Sequence, residues 1–314
     1  MSGILGAVLQ VVLVAAGAPL LVGLMRQVRA RAEGRAGAGV LQPWRDLRKL
    51  LRKEPITPHG TGPLFRMAPL VLAGSTLVVA AVVPLVTTRS PLDGAADLFA
   101  VTALLALGTV ALALAALDTG TAFGGMGASR EMVVLALVEP TILLSTFALS
   151  VRAGSTNLGA IVTATLDDPQ RAVFPASLLA LVALVVVVIA EAGRMPVDNP
   201  STHLELTMIH EAMVLEYAGP DLALVEWASA MRLTVLLGLL SNLFVPWGVA
   251  GDSLALLPVG VAAIAAKVAA AGAVLAAAEV FMAKLRMFRV PELLAGSFVL
   301  ALFAVASSFF LVAP

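Results

Sequence analysis

Between Glu191 and Glu226 the chain sets seven carboxylates, Glu191, Asp198, Glu205, Glu211, Glu216, Asp221 and Glu226, against one base, Arg194. Carboxylates that are desolvated or crowded together hold protons closer to neutral pH, so such a stretch can sense or relay charge. Three further ionisable residues, Glu139, Arg232 and Lys267, stand inside long apolar runs. An uncompensated charge there costs at least about 3 kcal/mol, so pairing or a wet cavity is expected. The expected path runs from Glu216, Glu211, Glu205, Glu226 and Glu191 to Glu139. A metal centre is not expected. His203 and His210 lie two helical turns apart, roughly 10 Å, too far to share one ion, and the residues after His210-Glu211 do not complete a zinc-binding H-E-x-x-H pattern.

The elements that must position these groups are membrane helices. Of 314 residues, 60% are hydrophobic and only 13% charged, with 20 basic and 20 acidic residues. The mean hydropathy is +1.00. A soluble domain carries about a quarter charged residues, and disorder needs low hydropathy with high charge. The absence of Cys excludes disulfides, thiolate metal sites and a Cys nucleophile. The balanced charge gives no case for nucleic acid. A span needs about 20 apolar residues, and eight stretches are read as spans: 4–25, 67–88, 98–117, 132–151, 173–190, 222–244, 254–278 and 293–313. The fifth is the shortest. The first is read as a retained span rather than a signal peptide, since no Lys or Arg precedes it. No period-2 alternation points to a barrel, and no internal repeat points to an inverted-repeat transporter. The expected fold is therefore an all-α, polytopic single membrane domain.

Basic residues set the orientation. Fifteen fall on the connections from odd to even spans, against Arg89, Arg152 and Arg171 on the other side. This predicts cytoplasmic loops 1–2 (26–66), 3–4, 5–6 (191–221) and 7–8, with both termini on the outer, periplasmic side. At about 1.5 Å per residue, Glu139, Arg232 and Lys267 lie roughly 12, 15 and 16 Å below the cytoplasmic edge. In loop 1–2, Leu41, Trp44, Leu47, Leu50 and Leu51 recur at helical spacing, while Arg45, Arg48, Lys49, Arg52 and Lys53 cover the other face. That pattern is an interfacial helix, serving as a topology anchor or a partner docking surface. In loop 5–6, Thr202 and Glu205 form a capping-box pattern that predicts a helix to about Tyr217. Its histidine face, with His203, His210 and Tyr217, is read as an interface.

The run Glu191-Ala-Gly-Arg194-Met-Pro196-Val-Asp198-Asn-Pro200, with Glu205 and Glu216-Tyr217-Ala-Gly219, resembles the signature loop of the complex I membrane subunit that abuts the peripheral arm. Gly124-Gly125 through Ser129-Arg130 to Glu139, and Arg286-Met-Phe288-Arg289-Val-Pro291, resemble further motifs of that subunit. The stretch Ser201–Glu211 and the residues Arg289–Leu294 are similar to formate hydrogenlyase subunit 4 and its hydrogenase-4 relatives. The resemblance implies a non-redox subunit that anchors a [NiFe] hydrogenase module to the bacterial cytoplasmic membrane and couples it to proton or Na⁺ movement. It implies no cofactor on this chain, with the [NiFe] centre and Fe–S clusters in large and small partner subunits, beside antiporter-like membrane subunits. Glu139, Glu191, Arg194, Asp198, Glu205 and Glu216 match the acidic motif. Glu211, Glu226, Arg232 and Lys267 are assigned to the relay from this sequence. The docking set is Arg45, Arg48, Lys49, Arg52, Lys53, Arg130, His203, His210, Tyr217, Arg286 and Arg289. The alternative is the equivalent subunit of a NADH:quinone oxidoreductase, contributing to a quinone site. A stand-alone transporter is the third reading.

Overall fold

A computed structural model describes residues 2–88, 91–198, 208–251 and 254–310. Glu205, His203 and the Thr202 cap lie outside the described residues. Among those residues the chain is helical, with no extended sheet. Seven helices are long and apolar enough to cross a membrane: α1 (Ser2–Ala32), α3 (Pro63–Val82), α4 (Leu98–Asp118), α5 (Ala122–Ala153), α9 (Gly219–Phe244), α10 (Leu257–Phe281) and α11 (Val290–Phe310). The chain is a multi-pass membrane protein. The fifth expected span is α7 (Pro175–Glu191), an apolar helix of 17 residues. It falls short because Pro175 fixes its first turn and Gly193, at φ +57°, turns the chain just beyond its end.

Three short helices sit between the long ones: α2 (Gln42–Leu50), α6 (Leu158–Asp167) and α8 (His210–Val214). The first lies where the loop 1–2 periodicity predicts it. The helix predicted over 202–217 differs: its described part is a five-residue turn of helix ending at Val214. Gly219, at φ +59°, begins a new helix there, and the position requires glycine because a Cβ would meet the Glu54 carbonyl oxygen at 2.7 Å. Helix α5 is longer than its predicted span. Thr121 caps it through the Gly124 N–H at 3.2 Å, ten residues ahead of Glu131, and Gly154 ends it at φ +68°.

Helix α9 is the hub of the bundle, with 72% of its most apolar window buried. It packs on α1, α3, α7 and α10, while α3 packs on α4, and α11 lies against α5 and α7. Two internal prolines open backbone carbonyls that α9 and its approach then fill. Pro19 in α1 cannot donate to Ala15, whose carbonyl accepts the Trp227 indole N–H at 2.8 Å. Pro69 in α3 leaves the Phe65 carbonyl open, and the Tyr217 hydroxyl donates to it at 2.8 Å while the two rings stack at 4.1 Å. Unpaired backbone groups are costly away from water, and the Pro19 and Pro69 breaks are each closed by a side-chain donor.

The two ends of the bundle differ. One, the basic end, carries α2, α8 and the 282–289 connection. At the other, the extended segment 83–88 is buried among α1, α9 and α10. The Gln10 amide donates to Ala80, Ala81 and Val83, and the Asn242 amide to Pro84 and Leu85, at 2.7–3.1 Å. Non-helical backbone at such a depth persists only where protein satisfies it.

Candidate functional site

A cavity of about 370 Å³ opens within the basic end, walled by α1, α2, α5, α7, α8 and α9. Six acids line it, Asp46, Glu131, Glu191, Asp198, Glu211 and Glu226, with three bases, Arg26, Arg194 and Arg232, and His210. The sequence therefore folds residues far apart in the chain into one charged chamber. Glu191 is there because α7 ends on it, and Arg194 follows in the turn closed by Gly193.

The chamber is built around Arg232. Its guanidinium forms an ion pair with Glu191 and donates to the Leu105 carbonyl of α4 at 2.9 Å. Both side chains are almost wholly buried, 8% and 3% exposed. A buried charge stripped of its partner costs about 3–5 kcal/mol, so this pair fixes α4, α7 and α9 relative to one another. The Arg232 field also reaches Glu131 and Glu139 on α5. Its Nε and the Oε1 of Glu139 are both buried without a hydrogen-bond partner.

Around this core the loops are clamped. One Asp198 oxygen accepts the backbone N–H groups of Ile209 and His210, at 3.3 and 3.2 Å, and the other accepts from Lys284 at 2.8 Å. Leu285 N–H adds a bond to the Pro196 carbonyl at 3.0 Å. His210 Nε2 lies 3.3 Å from the Ser229 hydroxyl. Buried Glu279, on α10, lies 3.8 Å from Arg194 and 3.9 Å from Arg29. Burial pushes the Arg194 guanidinium below its ordinary value, and Glu279 pulls it back up. Burial raises the Tyr217 phenol above its ordinary range, with Asp221 and Asp118 adding to the effect.

Of the expected relay residues, Glu191, Arg194, Asp198, Glu211, Glu226 and Arg232 share the cavity. Glu139 stands off its lining, and so does Glu216. Lys267 is elsewhere: in the opposite half of the bundle its ammonium donates to Asn242 Oδ1 at 2.9 Å and lies 5.0 Å from the Trp247 ring. The three charges expected at similar depth thus do not pair with one another; Arg232 takes Glu191 and Lys267 takes a neutral amide. Among the expected docking residues, Arg45, Arg48, Lys49, Arg52, Lys53, Arg286 and Arg289 are exposed. Three point inward instead. Tyr217 is buried on Phe65, His210 lines the cavity, and Arg130 donates to the Met208 carbonyl at 2.8 Å. Tyr217 is buried, while Arg130 and His210 are half-buried.

Sequence reasoning missed Glu131 and Glu279. Each sits one residue beyond the apolar runs 132–151 and 254–278, so hydropathy leaves it outside the spans. Their helices run on past those boundaries, α5 starting at the Thr121 cap and α10 ending at Phe281. Among the described residues no three His, Cys, Asp or Glu side chains are grouped to hold a metal.

The profile of the NADH dehydrogenase family covers residues 5–310. The chain belongs to that family. It is 38% identical over 255 residues to hydrogenase-4 component C of Escherichia coli K12, covering 80% of this chain and 78% of that one. It is 34% identical over 304 residues to formate hydrogenlyase subunit 4 of the same organism, covering 95% and 96%. The NADH-ubiquinone oxidoreductase chain 1 of Triticum aestivum is 30% identical over 245 residues, covering 72% of each. A chain in the solved structure of an archaeal membrane-bound sulfane sulfur reductase superposes with TM-score 0.83 at 22% identity, covering 97% and 98%, which establishes a shared fold. The cavity and its ion pairs therefore sit in a fold that this NADH dehydrogenase family member shares with subunits of membrane complexes.

Proposed function

We propose that this chain is the membrane-anchoring, non-redox subunit of a formate hydrogenlyase or hydrogenase-4-like complex. The observation that carries the reading is the Arg232–Glu191 pair in the wall of the charged chamber, with Glu139 unpartnered beyond it. The two Escherichia coli relatives, hydrogenase-4 component C and formate hydrogenlyase subunit 4, support it. In this reading α7 completes eight spans, both termini face the periplasm, and the basic end faces the cytoplasm of a bacterial inner membrane. A peripheral [NiFe] and Fe–S module docks there and performs the electron chemistry, and antiporter-like subunits adjoin the bundle. This chain's residues contribute electrostatics and proton positions. When the docked module changes its charge, the balance of acids around Arg232 shifts. Glu191, Glu131 and Glu139 then exchange protons or Na⁺ with their neighbours.

A second reading draws on the cavity itself. At about 370 Å³ it has the size of a small-molecule site, and α1, α2 and α9 form one wall. That favours a quinone headgroup, as expected of the related NADH:quinone oxidoreductase subunits.

Two measurements on the intact complex separate these. Purification in mild detergent is expected to bring down a hydrogenase large subunit, and electron transfer is expected to proceed without added quinone. A strict quinone requirement selects the second reading. In proteoliposomes, Glu139→Gln and Glu191→Gln are expected to abolish coupled ion movement while the complex still assembles. Unchanged coupling in both variants removes the relay.

A further inference from the structure

Helix α2 presents three faces, each with a different environment. Counting about 100° per residue, Pro43, Leu47 and Leu50 share one side. Pro43 and Leu47 are buried and line the cavity, together with Asp46, which lies 3.8 Å from Arg26. Arg45, Arg48, Lys49 and Arg52 project from the opposite side, all exposed. Along one edge between these sides stand Trp44 and Leu51, the latter 60% exposed. The Trp44 indole N–H donates to the Ala16 carbonyl at 3.1 Å. Ala16 is ten residues back along α1 from Arg26, roughly 15 Å toward the bilayer interior. The Trp44 side chain therefore reaches below the level of Arg26 on α1. Among the described residues none of the four cations, nor the neighbouring Lys53, has an acidic partner. Unpaired cations above an exposed apolar edge, on a helix pinned to a membrane span, match the chemistry of a lipid whose phosphate is negative and whose tails are apolar.

We infer that α2 is a binding site for anionic phospholipid in the leaflet at the basic end, with Arg45, Arg48, Lys49 and Arg52 on headgroup phosphates and Trp44 and Leu51 on acyl chains. The site does not depend on which complex the chain joins. Its consequence does concern the cavity: the same helix supplies Pro43, Asp46 and Leu47 to the wall, so bound lipid holds that wall against α1 and α9. An acidic protein surface is the competing occupant. It is disfavoured because the Trp44 and Leu51 edge would then have to lie in water or in an unrelated contact.

The test uses the full chain in nanodiscs of phosphatidylcholine, with or without phosphatidylglycerol. Phosphatidylglycerol is expected to stay bound through native mass spectrometry and to slow amide exchange over residues 42–53. The combined Arg45→Gln, Arg48→Gln, Lys49→Gln and Arg52→Gln variant is expected to lose lipid retention by more than about tenfold. Arg48→Lys with Arg52→Lys keeps the charge and is expected to retain it. Three results overturn the assignment: equal retention of the two lipids, exchange over 42–53 that ignores the anionic lipid, or a glutamine variant that retains phosphatidylglycerol as wild type does.

Discussion

Tyr217 illustrates how one side chain can join the frame of this protein to its charged chamber. Its hydroxyl closes the carbonyl that Pro69 opens in α3, and its ring stacks on Phe65 at 4.1 Å. Glu216, one residue earlier, stands off the cavity, whereas Tyr217 lies on its edge. The phenol is the chain's single tyrosine, so its ionisation can be read from tyrosinate absorbance with no other residue contributing. Burial, then Asp221 and Asp118, raise it above the ordinary value near 10. A raised folded-state value means the neutral donor is favoured by folding. Its contribution is complete below about pH 10 and is lost as the pH climbs through the higher folded value. Alkaline titration in detergent is therefore expected to show a tyrosinate midpoint above 10, moving down toward 10 on denaturation. A native midpoint at or below 10 contradicts the burial of the phenol. Tyr217→Phe keeps the stack and loses only the donor, and should destabilise by about 1 kcal/mol.

Among the helices, the proline breaks are where sequence and structure part company in an instructive way. Hydropathy alone locates all seven long helices, since a bilayer leaves little choice of element. It misplaces ends, however: α1 runs on to Ala32, α5 starts at Ala122, and α3 stops at Val82, short of the expected 88. The amphipathic α2 is equally legible, from leucine and arginine spacing. What hydropathy does not convey is which carbonyl each internal proline opens, or which distant donor closes it. Trp227 on Ala15 is separated from its acceptor by 212 residues, and no local pattern encodes that pairing. The same limit hid Glu131 and Glu279, because a window over apolar residues stops at the first charge even where the helix continues. The membrane charges were legible as residues but not as partners, for the choice of Glu191 for Arg232 depends on the crossing of α7 and α9. A double-mutant cycle tests the proline account. Trp227→Phe is expected to cost about 1 kcal/mol in the native background. Pro19→Ala restores an N–H for Ala15, so in that background the same change is expected to cost clearly less. Equal costs in both, measured by unfolding in mixed micelles, would mean the indole bond does not answer the proline break.

Across the whole molecule, the two ends do different work. The basic end encloses a chamber rich in acids, while the opposite end is packed shut around segment 83–88. That closure has few parts. Gln10 and Asn242 occupy its carbonyls, Ala250 N–H bonds the Val86 carbonyl at 2.9 Å, and Lys267 is held on Asn242. Straight across the bundle from the chamber lies this packed end, while Glu139 stands half-buried on α5, off the cavity lining. Asn242 is the keystone because its amide serves two carbonyls and its oxygen serves an ammonium, so one substitution unmakes three bonds. Asn242→Leu leaves the Pro84 and Leu85 carbonyls and the Lys267 amine unpartnered in the bilayer interior, where water is the available replacement. Proteoliposomes carrying this variant are expected to dissipate a pH gradient faster than wild type, with a trapped pH dye as the readout. Glu191→Gln, which disturbs the chamber but not the closure, is expected to leak no more than wild type. A tight Asn242→Leu membrane would mean that apolar packing of Leu243, Phe244 and Leu257 seals this end without the polar knot.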